Sequence, residues 1–209
     1  MKKKLDKLKE YLKMNKKTFI FLFVLFITAL VAGSIFSVTL NDNDTSLVNT
    51  YLENYINSIN DNTIIFKDTF INSISSNLIL TIIIWLLGIS IIGLPIIIFL
   101  FFYKCFVIGF AISSILMKYK VKGLLLSIIY VFPHHIINIL LIMILISYAF
   151  SISIKIINAV VKRKEMSFRD ITYKYLVVLG LICLVLVFTS LYESFVVPKL
   201  IKLIMPLLS

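Results

Sequence analysis

Residues able to do chemistry are scarce in this chain, and those present sit in apolar surroundings. Lys104 is the only formal charge between Asn77 and Met117. It follows Pro95 by nine positions, which puts it near mid-membrane at a helical rise of about 1.5 Å per residue. An ammonium there needs a partner or must give up its proton. Snorkelling or carbonyl contacts are the expected resolution, since a pair with Glu193, near the outer end of the last apolar run, requires a long reach. Pro133-His134-His135 interrupts another apolar run. Proline frees a backbone carbonyl that an imidazole can bond, so this triplet reads as a structural kink ahead of a proton relay. Adjacent histidines point about 100° apart on a helix of 3.6 residues per turn, and no Cys, Asp or Glu joins them at ligand spacing. Neither a metal nor any other cofactor is expected. Cys105 and Cys183 lie far apart inside apolar stretches and read as small packing residues. Nothing matches a phosphate-binding loop, a nucleophile with its base, or a paired-carboxylate hydrolase, so no enzyme is expected.

The elements that position these residues follow from composition. The 209-residue chain is 60% hydrophobic and 15% charged, with a mean hydropathy of +1.04. Bilayer is the solvent that suits it, and only helices or closed barrels satisfy every backbone group in lipid. Its apolar runs are continuous rather than alternating, which selects helices. The fold class is therefore all-α: a polytopic integral membrane helical bundle of about five transmembrane helices plus short amphipathic outer helices. Spans are expected at 18–40, 77–92, 95–117, 123–153 and 175–197, each near the roughly 20 residues that cross the hydrocarbon. The break between the second and third is placed at Gly93-Leu94-Pro95, where glycine permits a tight turn and proline cannot continue a helix. The small residues around Gly33 and Ser34 could also suit a signal peptidase, but the basic region is long and the apolar run exceeds a typical leader core.

Residues 1–17 hold eight lysines, with Leu5, Leu8, Tyr11 and Leu12 at helical spacing. This is a basic amphipathic segment suited to anionic lipid. The net charge of +11 clusters beside apolar spans, which favours membrane over nucleic acid. Lys and Arg number 14 in the N-terminal segment and the 154–174 loop, against 6 on the other side. Basic loops stay cytoplasmic, so the N-terminus is inside and the 198–209 tail outside. Residues 41–76 are polar and extracytoplasmic, with potential N-caps from Asn41 to Ser46 and two short amphipathic helices. Tyr51, Tyr55, Phe66 and Phe70 give that segment an aromatic face suited to partner docking. Gly109, Ala111, Ser113 and Ser114 permit close helix contact, which would allow a homodimer or a permease or channel subunit.

Trp85 to Pro95, with Gly88 and Gly93, then Lys104 with Gly109, Lys122-Gly123 and Pro133 followed by polar residues, resemble the stage II sporulation protein M family. Size, basic N-terminus, polar outer segment and five-span layout are similar over nearly the whole chain. The resemblance implies a multi-pass cell-membrane protein of the sporulation septum, required for forespore engulfment. It also implies partnership with the peptidoglycan-cleaving stage II sporulation proteins D and P, which the family anchors and localises without cutting anything itself. Only Gly88 to Pro95 and Pro133-His134 carry over, as architectural positions.

Overall fold

The structure, a computed structural model, describes residues 16–61, 63, 66–90, 92–131, 134–162 and 168–208. The N-terminal segment through residue 15 and Pro133 lie outside the described residues. Among the described residues there are six helices: α1 (Lys16–Val38), α2 (Asp42–Asn60), α3 (Phe66–Leu87), α4 (Gly93–Val131), α5 (His134–Lys162) and α6 (Phe168–Leu208). All but α2 contain a segment long and apolar enough to cross a membrane. The chain is thus an all-α helical membrane protein.

Helix α1 is almost uniformly apolar and packs chiefly on α4. Ala29, Gly33 and Ser37 recur every four residues on its buried face. Cys105, Gly109 and Ser113 do the same on α4. A side-chain carbon at Gly33 would collide with the Phe106 carbonyl, and one at Gly109 with that of Leu30. The backbones therefore touch, and hydroxyls cross between them. Ser34 Oγ donates to the Gly109 carbonyl at 3.2 Å, Ser113 Oγ to the Ser34 carbonyl at 3.2 Å, and Ser37 shares a 2.8 Å bond with Ser114. Such small-residue seams let dispersion and polar contacts replace the absent hydrophobic drive between helices in lipid. Gly109, Ser113 and Ser114 of α4 are thus engaged with α1 of the same chain.

The N-cap of α2 is Asn41, whose side-chain oxygen accepts from the Asp44 N–H at 2.8 Å, and Asp42 and Asp44 complement the helix dipole. The second short helix expected after it does not stand alone. Phe66 to Ile74 form the first turns of α3, because Phe66 packs against Phe195 and Ser73 bonds to α6, which holds the helix straight into its span. The break after α3 runs from Gly88 to Ile92 rather than beginning at Gly93. Gly88 lies against Tyr175 and Ala149, and Gly93 against the Leu87 carbonyl. Pro95 sits in the first turn of α4, where its missing N–H costs no helical bond.

Helix α4 reverses at Lys120, whose φ of 51° and ψ of −129° lie where side chains are disfavoured. Gly123 returns against Ile115 and Leu116, so residues 121–131 fold back antiparallel on the preceding limb. Helix α4 ends at Val131, and α5 begins at His134. Helix α6 runs through Pro198 rather than stopping there. Val197 and Ile201 on either side are 0% and 1% exposed, packed with Ile56, Ile59, Ile115 and Leu126, and this burial carries the helix across the proline. The main core lies lower in the bundle, built by Ile84, Phe101, Cys105, Ile142, Leu145, Ile146 and Leu186.

Candidate functional site: a buried polar cluster

Four spans contribute polar groups to one place inside the bundle. On α3, Ser73, Asn77 and Thr81 share a buried face because they are spaced four apart. Asn77 Nδ2 donates to the Ser73 carbonyl at 3.0 Å, and Thr81 Oγ1 to the Asn77 carbonyl at 2.7 Å. That frees Asn77 Oδ1, which accepts from Lys104 Nζ on α4 at 3.2 Å. Ser73 Oγ meets Ser190 at 3.2 Å and Glu193 at 2.5 Å, both on α6. Lys104 and Glu193 are thereby linked through two side chains one turn apart on α3, and each lies within the other's field. A side-chain amide, not a direct ion pair, holds the intramembrane lysine.

The first turn of α5 carries the histidines. His134 is 0% exposed, its Nε2 3.8 Å from Glu193 Oε2, too long for a hydrogen bond. Tyr130 stands edge-on to His134 at 6.3 Å and to His135 at 5.5 Å. Among the described residues, both ring nitrogens of His134, His135 Nδ1 and Asn138 Nδ2 have no hydrogen-bond partner. Asn138 Oδ1 accepts from Thr189 Oγ1 at 2.8 Å, which ties α5 to α6. Beyond these groups toward the other end of the bundle lies an apolar layer of Ile84, Ile142, Leu145, Ile146 and Leu186, each 1% exposed or less.

The aromatic residues singled out in the sequence have separate fates. Tyr51 is 75% exposed. Tyr55 turns inward, 6.4 Å edge-on to Tyr130, and burial, then the charges of Tyr130 and Glu193, push its phenol pKa up. Phe66 and Phe70 stack at 6.1 Å, and Phe66 lies 3.5 Å from Phe195 between ring centroids. His134 joins the polar cluster, whereas Gly88 and Gly93 stand at the opposite turn. Ser73 and Asn77 do not stand out in the sequence, because Asn77 borders an apolar run. The signal was present in the four-residue spacing of Ser73, Asn77 and Thr81. It is matched on α6 by Ser190, Glu193 and Ser194.

The cluster offers one ammonium, one carboxylate and amide and hydroxyl dipoles in a low-dielectric interior. No set of three His, Cys, Asp or Glu among the described residues could hold a metal. Its evident effect is to cross-link α3, α4, α5 and α6 by hydrogen bonds. The fold and cluster define a polytopic helical membrane protein with a cross-linked polar interior. The chain belongs to the stage II sporulation protein M family, whose model matches residues 22–198, from within α1 to Pro198 in α6. No curated protein and no solved structure matches. This is a sporulation family and is not known as an enzyme family.

Proposed function

We propose that this chain is a non-enzymatic membrane scaffold that anchors peptidoglycan-cleaving partners, stage II sporulation proteins D and P, at the sporulation septum during engulfment. Family membership supplies the setting. The observation that carries the docking role is α2, an amphipathic helix attached by only part of its surface. Leu52, Tyr55, Ile56 and Ile59 face the bundle, while Leu47 and Tyr51, one turn apart, are 58% and 75% exposed. Exposed apolar pairs on a helix outside the hydrocarbon suit a protein partner. Of the four aromatics first considered, Tyr51 alone presents itself, and Leu47 joins it. Lys118 supports the helix from below through Glu53 at 2.9 Å and the Asn49 carbonyl.

The permease reading draws on Lys104 and the helix break at His134. The apolar layer beneath the polar cluster weighs against it, since a solute path needs polar groups or water through the full thickness. The test is co-purification of tagged protein from sporulating cells, wild type against Leu47→Glu/Tyr51→Glu. Loss of both hydrolases with unchanged membrane abundance is the expected result. Undiminished recovery with the double variant removes the docking face.

A further inference from the structure

The underside of α2 roofs an apolar cavity of about 320 Å³, with Tyr51 of the exposed pair at its edge. Leu52, Tyr55 and Ile56 form the roof, and Val107, Phe110 and Ala111 of α4 form one wall. Leu126 and Tyr130 of the folded-back limb, with Ile201 of α6, close the other. An apolar space of this kind does not hold water, and its lining forgoes contacts unless something apolar fills it. A flexible hydrocarbon chain is apolar and narrow enough to fill it.

Two lining residues show where the cavity opens. Tyr51 is 75% and Val107 42% exposed, although both border it. Val107 to Ile115 lie roughly 21–33 Å along α4 from Gly93 at 1.5 Å per residue, in the half of the membrane nearer α2. The mouth therefore faces the hydrocarbon of that leaflet. Above it the walls end in lysines: Lys118, Lys120 and Lys122 on the α4 reversal, Lys199 and Lys202 flanking Ile201 on α6. Of the acids on α2, Asp42 and Asp44 serve its N-terminus and Glu53 is bonded to Lys118. Lys120 and Lys199 are exposed near the same ends of α4 and α6, and no carboxylate lines the groove. Basic residues gathered on the side that disfavours them call for anionic counter-charge.

We propose that this groove binds one anionic phospholipid of the outer leaflet, with an acyl chain between α2 and α4 and its phosphate against the lysines at the rim. The lipid would set how firmly α2 is seated, with Tyr51 bordering both the groove and the face proposed for a protein partner.

The experiment is native mass spectrometry of the full chain purified in a neutral detergent, titrated with phosphatidylglycerol or phosphatidylcholine. Wild type is expected to retain one phosphatidylglycerol, at least tenfold tighter than phosphatidylcholine. Ala111→Phe fills the cavity and should abolish retention; if thermal melts show that it misfolds, Val107→Trp at the mouth replaces it. Lys120→Gln/Lys199→Gln leaves the cavity intact and should bring phosphatidylglycerol down to the affinity of phosphatidylcholine. Equal lipid retention by wild type and the filled variant means surface lipid only and overturns the proposal. A headgroup preference that is absent in wild type, or unchanged in the lysine double variant, overturns the rim.

Discussion

Lys104 illustrates how one buried charge is accommodated at the residue scale. Its ammonium is held by the Asn77 amide, whose own N–H is used by Ser73. Asn77→Leu removes that acceptor and leaves a charged donor in a low-dielectric setting, which costs about 1–3 kcal/mol. Thermal unfolding in detergent should register this as a fall in Tm of several degrees. Adding Lys104→Met should recover most of the loss, because replacing both polar partners by apolar groups is close to neutral. A double variant as unstable as Asn77→Leu alone shows that Asn77 acts elsewhere. Glu193 and His134 belong to the same network. His134 could be marked in the sequence as unusual, but its neighbour could not, since Glu193 is 59 positions away and meets it only through the packing of α5 on α6.

At the scale of elements, α1 and α4 show how small residues set a helix contact. Gly33 touches the Phe106 carbonyl, so the approach is set by backbone rather than by a flexible side chain. Gly33→Leu cannot be absorbed by rotamer change and should destabilise the α1–α4 pair by about 3 kcal/mol, the upper end of ordinary overpacking. Disulfide cross-linking between cysteines placed at Ser37 and Ser114, 2.8 Å apart at their hydroxyls, reports it. Cross-linking should be efficient in the parent and largely lost with Gly33→Leu, while efficient cross-linking in both would show that the seam tolerates a side chain. The four-residue repeat of Ala29, Gly33 and Ser37 was legible in the sequence, yet small residues there also suit a peptidase. Only the partner repeat on α4 gives them a structural reason. The α2 cap at Asn41 was legible for a local cause, because capping needs only residues three apart. The continuity of α3 from Phe66 was not, because Phe195 and Glu193 on α6 supply it.

For the whole molecule, five helices are long and apolar enough to cross a membrane. We propose, from the distribution of Lys and Arg, that the α2 end lies outside. With Cys105 and Cys183 replaced by alanine, a cysteine at Asp61 should react with an impermeant maleimide in intact cells, and one at Lys155 only after permeabilisation. The reverse pattern inverts the orientation, and equal labelling at both positions removes the five-crossing layout. The polar cluster and the aliphatic layer of Ile84, Ile142, Leu145, Ile146 and Leu186 are distinct zones of the bundle interior. The lysine-rimmed groove lies beside the helix proposed to receive the hydrolases.

By itself the sequence determined the solvent, the helical class and roughly how many helices are of membrane length, because continuous apolar runs are a one-dimensional signal that lipid reads directly. It also confined the cap of α2 to Asn41–Ser46 and required a turn between the second and third spans. Tertiary structure alone decided which polar residues meet, where α4 reverses at Lys120, and that α6 passes through Pro198. Each of those depends on groups distant in sequence. A hydroxyl or amide inside an apolar helix gains its energy only when a partner from another helix arrives, so its position in the chain could not reveal that partner.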